Sequence, residues 1–323
     1  MVGSVLVYND LIIGEGYHQA YGKEHAEVNC INSVQPEYSH LISSSTLYVS
    51  LEPCAHFGKT PPCTELIIRN QIPEVVIGCS DPYPAVAGKG IELLRKSGVR
   101  VHENLLEDEA QILNKRFFTN ILEQRPYIIL KWAQSADLRM SAADSRPVKI
   151  SGEITDRLVH KWRNEEAAIM VGTNTALQDN PLLTNRCWSG KSPIRIVIDR
   201  TLRLPDSLHL FNRQDPTIVF NELKNEEHTN LNYVQTTVGD SMIPQILIAL
   251  VERGIQSVLV EGGRSLLQSF IDAGYWDEAR VITNRKLRIG KGIHSPVLRN
   301  ELLQNEYTIG NDLIQSFHQS PNN

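Results

Sequence analysis

The chain has 323 residues, 41% apolar and 21% charged, the balance of a soluble globular protein long enough for two domains with separate cores. Its net charge of −5 and pI near 6.1 give no electrostatic case for a nucleic-acid partner and leave room only for a local basic pocket. No apolar run approaches the roughly 20 residues that span a bilayer, the N-terminus lacks a basic n-region, and five cysteines do not read as a disulfide framework, so a cytoplasmic protein with no membrane partner is expected.

Residues 3–8 and 11–16 flank Asn9-Asp10 and read as a β-hairpin. A helix is expected from about Glu24, with His25 and Glu27 in its first turn. Residues 46–51 form a strand that delivers Glu52-Pro53-Cys54 at its end. Thr60 suits an N-cap and Pro61 a first helical position, so Cys63 would open the next helix. Two helix starts would then face each other at one sheet edge. A strand over 74–78, a helix over 88–97, a strand over 99–102 and one amphipathic helix over 107–122 complete an α/β/α sandwich.

His25, Cys54 and Cys63 stand out chemically. One imidazole and two thiols can hold zinc tetrahedrally with the fourth position open, as a catalytic site requires, and Glu27 is a carboxylate free to move protons. Taken alone, the two cysteines could equally be ordinary buried thiols. The spacing His25-Ala26-Glu27, with Pro53 directly before Cys54 and the order His, Cys, Cys, is similar to the signature of the zinc deaminases, where activated water displaces an amine from a pyrimidine or purine. Most of that class separate the cysteines by two residues. Here eight intervene, Ala-His-Phe-Gly-Lys-Thr-Pro-Pro. With Gly16-Tyr17-His18 and His25-Ala26-Glu27-Val28, that insert resembles the deaminase half of the bifunctional riboflavin-biosynthesis deaminase/reductases. The resemblance implies that His18, His56 and Lys59 contact the substrate. Family members usually start with a helix and a Pro-Asn-Pro-x-Val-Gly segment, whereas this chain starts at Met1-Val2-Gly3. The expectation is therefore a truncated deaminase domain with one sheet face under-covered. Cys30, Cys79 and Cys187 are expected to be core or surface thiols.

Gln124-Arg125-Pro126 ends the last helix, since proline cannot continue it, and places a boundary near 124. Domains of 1–124 and 125–323 follow. Strands at 127–132, 167–172, 194–198, 217–220 and 257–260 alternate with helices at 153–163, 243–252 and about 265–273, which suggests a doubly wound sheet with ligands at the carboxyl ends of its strands. After the last strand comes Glu261-Gly262-Gly263-Arg264-Ser265, where backbone N–H groups could approach a phosphate, although a tight turn accounts for the glycines equally well. The runs from Arg163 through Val171-Gly172-Thr173 to Asp179-Asn180-Pro181 and Arg186, then Arg195–Asp199 and Glu261-Gly262-Gly263, resemble the reductase half of the same family, which is dihydrofolate-reductase-like in fold. The resemblance implies NADPH contacts at Thr175, Asp179, Gly263, Arg264 and Ser265, and substrate contacts at Arg163, Leu183, Arg186 and Glu261. Arg163 and Arg186 suit bidentate capture of a ribose phosphate. Leu138 stands where the family has Gly, and 144–149 lack its usual Ser and Trp, so no cofactor contact is carried over there.

The resemblance covers both halves in order. It implies hydrolytic deamination of 2,5-diamino-6-(5-phosphoribosylamino)pyrimidin-4-one, followed by NADPH reduction of the ribosyl side chain to ribityl, with zinc and NADPH as cofactors. It also implies a homo-oligomer, commonly a dimer through the reductase half. The alternatives are a reductase carrying an inactive deaminase domain, a nucleic-acid-editing deaminase, and a structural zinc module with His56 as fourth ligand.

Overall fold

The computed structural model describes residues 2–20, 22–57, 61–83, 86–144, 147–239 and 241–320. The chain divides into two compact units, Met1–Glu123 and Gln124–Asn323.

In the first unit the hairpin β1 (Gly3–Tyr8) and β2 (Leu11–Tyr17) turns through Asn9 and Asp10, both at positive φ, a conformation their short polar side chains tolerate. There follow α1 (Ala26–Asn32), β3 (Thr46–Leu51), α2 (Cys63–Arg69), β4 (Glu74–Cys79), α3 (Lys89–Lys96), β5 (Arg100–His102), α4 (Glu107–Leu113) and α5 (Lys115–Glu123). The sheet order is β2-β1-β3-β4-β5. Alternation along the strands sends Leu6, Leu47, Val75 and Ile77 to one face, where Cys30, Ile67, Ile91 and Leu94 from α1, α2 and α3 complete a core. The other face is covered by α4 at Gly78, which has no side chain to hold Ala110 away. Beside that contact Val5, Tyr48 and Val76 line an open groove of about 910 Å³ with Leu105 and Leu113 at its rim.

Two local readings need correction. His25 stands at the N-cap, with extended φ −71° and ψ 166°, rather than in the first turn; Glu27 is in that turn. The helix expected over 107–122 is two helices that meet at Asn114, whose side-chain amide and backbone N–H both donate to the Ala110 carbonyl. Thr60 lies outside the described residues, and Pro62 occupies the N-cap position before Cys63.

The second unit contains β6 (Tyr127–Ser135), β7 (Arg139–Ala142), α6 (Glu153–Glu165), β8 (Ala168–Gly172), α7 (Thr173–Asp179), β9 (Ile194–Ile198), β10 (Thr217–Asn221), β11 (Glu226–His228), β12 (Leu231–Gln235), α8 (Met242–Glu252), β13 (Ser257–Val260), α9 (Arg264–Asp272), β14 (Glu278–Asn284), β15 (Gly292–His294), β16 (Glu301–Ile309) and β17 (Asp312–Gln319). Ten strands form one sheet in the order β11-β12-β10-β9-β8-β13-β6-β14-β17-β16, parallel from β12 through β14 and antiparallel at both edges. Ile128, Leu130 and Trp132 point to α8 and α9, while Tyr127 and Ile129 pack with Val159 and Trp162 of α6. Burial on both faces is why these strands read as unbroken apolar runs. Among the described residues no helix is long and apolar enough to cross a membrane.

Candidate functional site

In the first unit the starts of α1 and α2 meet beyond the end of β3. His25 Nδ1 lies 3.5 Å from Cys54 Sγ and 3.3 Å from Cys63 Sγ. A tetrahedral zinc ion, with bonds of about 2.3 Å to sulfur and about 2.0 Å to nitrogen, would set N and S about 3.5 Å apart. All three ligand atoms lie within 4.8 Å of one another. The residues therefore fit such an ion, with Nδ1 as the imidazole donor.

The electrostatics suit a dication. Cys54 is held down to about 4, first by the hydrogen bond from the Cys63 thiol and then by His25 and the Cys63 backbone N–H. Cys63, donating to that thiolate and buried, is pushed far up. The two sulfurs thus share one negative charge, and an ion would take both as thiolates. Glu27 is buried, and desolvation raises its carboxyl above the usual range. A carboxyl poised to hold or release a proton beside three ligands is what general acid–base work needs. His56 is exposed and stands outside the cluster, so among the described residues no fourth protein ligand closes the site, contrary to a structural zinc module.

Glu52 sits under the Cys54 loop. Its buried carboxylate accepts the backbone N–H groups of Gly90 (2.9 Å), Gly88 (3.0 Å), Asp81 (3.2 Å) and Ile91 (3.4 Å), tying the end of β3 to the start of α3. The fit is close: a Cβ on Gly90 would stand 2.0 Å from the Pro53 carbonyl. On the other side Thr64 N–H and Oγ1 both donate to the Cys54 carbonyl at 3.2 Å. The ligand loop is thus held at both ends by helix starts. Glu52 was not singled out from sequence, although a carboxylate directly before Pro-Cys was the available signal. His18 packs edge-on to His25 at 5.5 Å between ring centroids and bonds through Nδ1 to the Glu24 carbonyl, which puts it at the mouth of the site. Gly58 and Lys59 lie outside the described residues. Cys30 and Cys79 are buried and Cys187 is exposed.

In the second unit the site lies at the carboxyl ends of β8 and β13. Gly172 leads β8 into α7, and Gly262-Gly263 lead β13 into α9. A Cβ on Gly262 would meet the Leu266 side chain at 2.6 Å and the Gly172 nitrogen at 3.2 Å, and one on Gly263 would meet Thr175 Oγ1 at 3.1 Å. Two strand-to-helix turns therefore close on each other only because these residues lack side chains. They leave the first N–H groups of α9, which no side chain caps, beside Thr175. That cradle fits the pyrophosphate of a dinucleotide.

Next to it, Glu261 receives a bidentate ion pair from Arg163, Nε at 2.9 Å and Nη2 at 2.8 Å, and Lys131 approaches at 3.5 Å. Burial alone would raise the Glu261 carboxyl, but the charges of Arg163 and Lys131 outweigh it and hold it at about 2. Lys131 was missed in the sequence; its signal was one charge inside the apolar run of β6. Arg163 also donates to the Thr184 carbonyl at 3.3 Å. Its fork is thus already engaged, and bidentate phosphate capture by Arg163 does not match the geometry. Arg186 is exposed; among the described residues its guanidinium donates to Thr184 Oγ1 and its backbone N–H to His160 Nδ1. Leu183 is buried, with φ 55°, in the left-handed region. Thr175 and Asp179 lie on α7, and Arg264 and Ser265 open α9.

Fold and site together define a two-domain enzyme, a zinc-binding deaminase followed by a reductase. Residues 1–79 match the cytidine and deoxycytidylate deaminase zinc-binding region, and residues 126–304 match the RibD C-terminal domain. The riboflavin biosynthesis protein RibD of Aquifex aeolicus is 39% identical over 297 residues, covering 90% of this chain and 82% of that protein. The RibD of Escherichia coli is 33% identical, covering 88% and 82%. The crystal structure of a diaminohydroxyphosphoribosylaminopyrimidine deaminase/5-amino-6-(5-phosphoribosylamino)uracil reductase from Thermotoga maritima superposes with a TM-score of 0.89 at 34% identity, covering 98% of this chain and 91% of that one. The chain belongs to the RibD family of bifunctional riboflavin-biosynthesis enzymes, with a zinc-binding deaminase and an NADPH-dependent reductase. The deaminase match takes in His25, Glu27, Cys54 and Cys63, so a reductase with an inactive first domain is not the favoured reading.

Proposed function

We propose that residues 1–124 deaminate 2,5-diamino-6-(5-phosphoribosylamino)pyrimidin-4-one and that residues 125–323 reduce the ribosyl chain of the product to ribityl. The observation that carries the first step is the buried Glu27 carboxyl beside His25, Cys54 and Cys63, with no fourth protein ligand among the described residues. Those three residues hold zinc, which supplies the Lewis acidity that makes water a nucleophile at neutral pH. Glu27 takes a proton as water adds to the amine-bearing ring carbon and returns one to the departing ammonia, so its carboxyl ends the cycle as it began. His18, His56 and Lys59 orient the pyrimidine and its ribose phosphate.

For the second step, bound NADPH would supply the hydride that reduces C1′ of the open ribose, or of its imine. Thr175, Asp179, Gly263, Arg264 and Ser265 hold the cofactor around the paired turns. Arg186 takes the substrate phosphate and Leu183 packs against the substrate, while Glu261, fixed by Arg163 and Lys131, accepts hydrogen bonds from it. The enzyme works in the cytoplasm as a homodimer through the reductase half. Supporting the dimer, the nine-residue edge strand β16 is exposed nearly throughout and carries Leu302 and Leu303.

The test is ammonia release by purified, zinc-loaded protein without NADPH. Release that stops on chelation and returns with zinc supports the reading. Absence of release, with NADPH oxidation intact on pre-deaminated substrate, would leave only the reductase.

A further inference from the structure

The loop 180–186 carries Leu183 and Arg186, and two residues one helical turn apart on α6 grip its backbone. Arg163 donates to the Thr184 carbonyl at 3.3 Å, and two residues further on the Arg186 N–H donates to His160 Nδ1 at 3.1 Å. Because a backbone N–H can only donate, His160 must present a bare Nδ1, so its proton is on Nε2. His160 as a residue is 6% exposed, so the contact lies in the interior. Immediately before these two anchors the chain passes through Leu183 in the left-handed conformation, which a leucine adopts only when its surroundings impose it.

We propose that His160, held neutral, is a positioning residue for substrate binding in the reductase: by accepting the Arg186 N–H it fixes the loop so that the Arg186 guanidinium faces the substrate phosphate. This rests on the reading of Leu183 and Arg186 as substrate residues. The charged groups around the ring are Asp156 and Arg163 on α6, Arg186 on the loop and Glu261 after β13. Burial first, then the cations Arg163 and Arg186, lower the imidazole below its ordinary 6.5, and Glu261 and Asp156 pull the other way without prevailing. A neutral ring keeps its acceptor at neutral pH. In acid Nδ1 takes a proton, two donors then face each other, and the loop is released.

The experiment is steady-state reduction of pre-deaminated substrate by the full-length enzyme, comparing wild type with His160→Ala, His160→Asn and Arg186→Ala from pH 5 to 8. Asn places its amide oxygen close to where Nδ1 stands, so it keeps the acceptor without titrating. His160→Ala is expected to raise KM for the pyrimidine phosphate about tenfold, with kcat and KM for NADPH within about twofold, equivalent to one lost hydrogen bond. His160→Asn is expected to restore KM to within about threefold of wild type and to serve as the folding control. The ratio of wild-type to His160→Asn KM, in which the substrate's own phosphate ionisation cancels, should rise below pH 6.5. A flat ratio, or Asn as damaging as Ala, overturns the proposal. If Arg186→Ala raises KM and His160→Ala does not, the positioning role alone falls. If Arg186→Ala leaves KM unchanged, the substrate reading of the loop falls, and the proposal with it.

Discussion

Glu52 offers a quantitative test of how the ligand loop is built. Its two carboxylate oxygens accept four N–H groups, Oε1 those of Gly90 and Ile91 and Oε2 those of Gly88 and Asp81. In Glu52→Gln one oxygen becomes an NH₂, so whichever way the amide turns, two N–H donors face a donor. At about 1–3 kcal/mol for each buried group left unmatched, the first unit should lose about 2–6 kcal/mol. All four tryptophans, Trp132, Trp162, Trp188 and Trp276, lie in the second unit. A urea transition seen by far-ultraviolet circular dichroism but silent in tryptophan emission therefore reports the first unit. That transition should move to lower urea in Glu52→Gln while the tryptophan transition stays in place. Competition with a chromophoric chelator should show zinc held about tenfold more weakly, the usual size for loss of an outer support. A first-unit transition within about 0.5 kcal/mol of wild type would refute the claim that this carboxylate holds the loop.

Arg186→Ala is expected to raise the reductase KM for the pyrimidine phosphate far more than that for NADPH; equal increases in initial-rate kinetics would undo its assignment to the phosphate. The Glu261 carboxyl, held at about 2 against an ordinary 4.5, contributes stability that is present above pH 4.5 and lost as pH falls toward 2. That loss amounts to about 3 kcal/mol, so the tryptophan-detected urea midpoint should drop across this window and should change much less in Glu261→Gln. Leu138 adopts φ 58° at a half-exposed turn, a strain of about 1–2 kcal/mol that Gly would relieve at about 0.5–1 kcal/mol of chain entropy. Leu138→Gly should therefore melt at or slightly above the wild-type temperature in calorimetry, and a fall of several degrees would contradict the strain.

The zinc site was legible because its residues are chemically rare and ordered in the chain: His25 and Glu27 adjoin at one helix start, and Cys54 and Cys63 bracket one loop. The inner strands of the reductase sheet were legible because burial on both faces makes them unbroken apolar runs, as in Ala168–Gly172. The last hairpin was not. The Glu301–Ile309 strand is exposed on almost every residue, so nothing in Glu-Leu-Leu-Gln-Asn-Glu-Tyr-Thr-Ile alternates. The junction at Asn114, whose amide side chain also bonds back to Ala110, is local geometry that helix propensity does not register. Glu52, Lys131 and His160 escaped because their meaning lies in partners far along the chain, 130 residues away for Lys131 and Glu261. For the same reason Arg163 read as a free phosphate clamp, when folding closes its fork on Glu261.

The proposed deamination turns on Glu27 moving the proton at a zinc centre made by His25, Cys54 and Cys63. Metal content and ammonia release are measured together in Glu27→Gln, an isosteric change that removes the ionisable carboxyl and leaves the three ligands in place. One zinc per chain is expected, with ammonia release lost by at least a factor of about 10² and NADPH oxidation on pre-deaminated substrate unchanged. A zinc-loaded Glu27→Gln protein that still releases ammonia at the wild-type rate would contradict it.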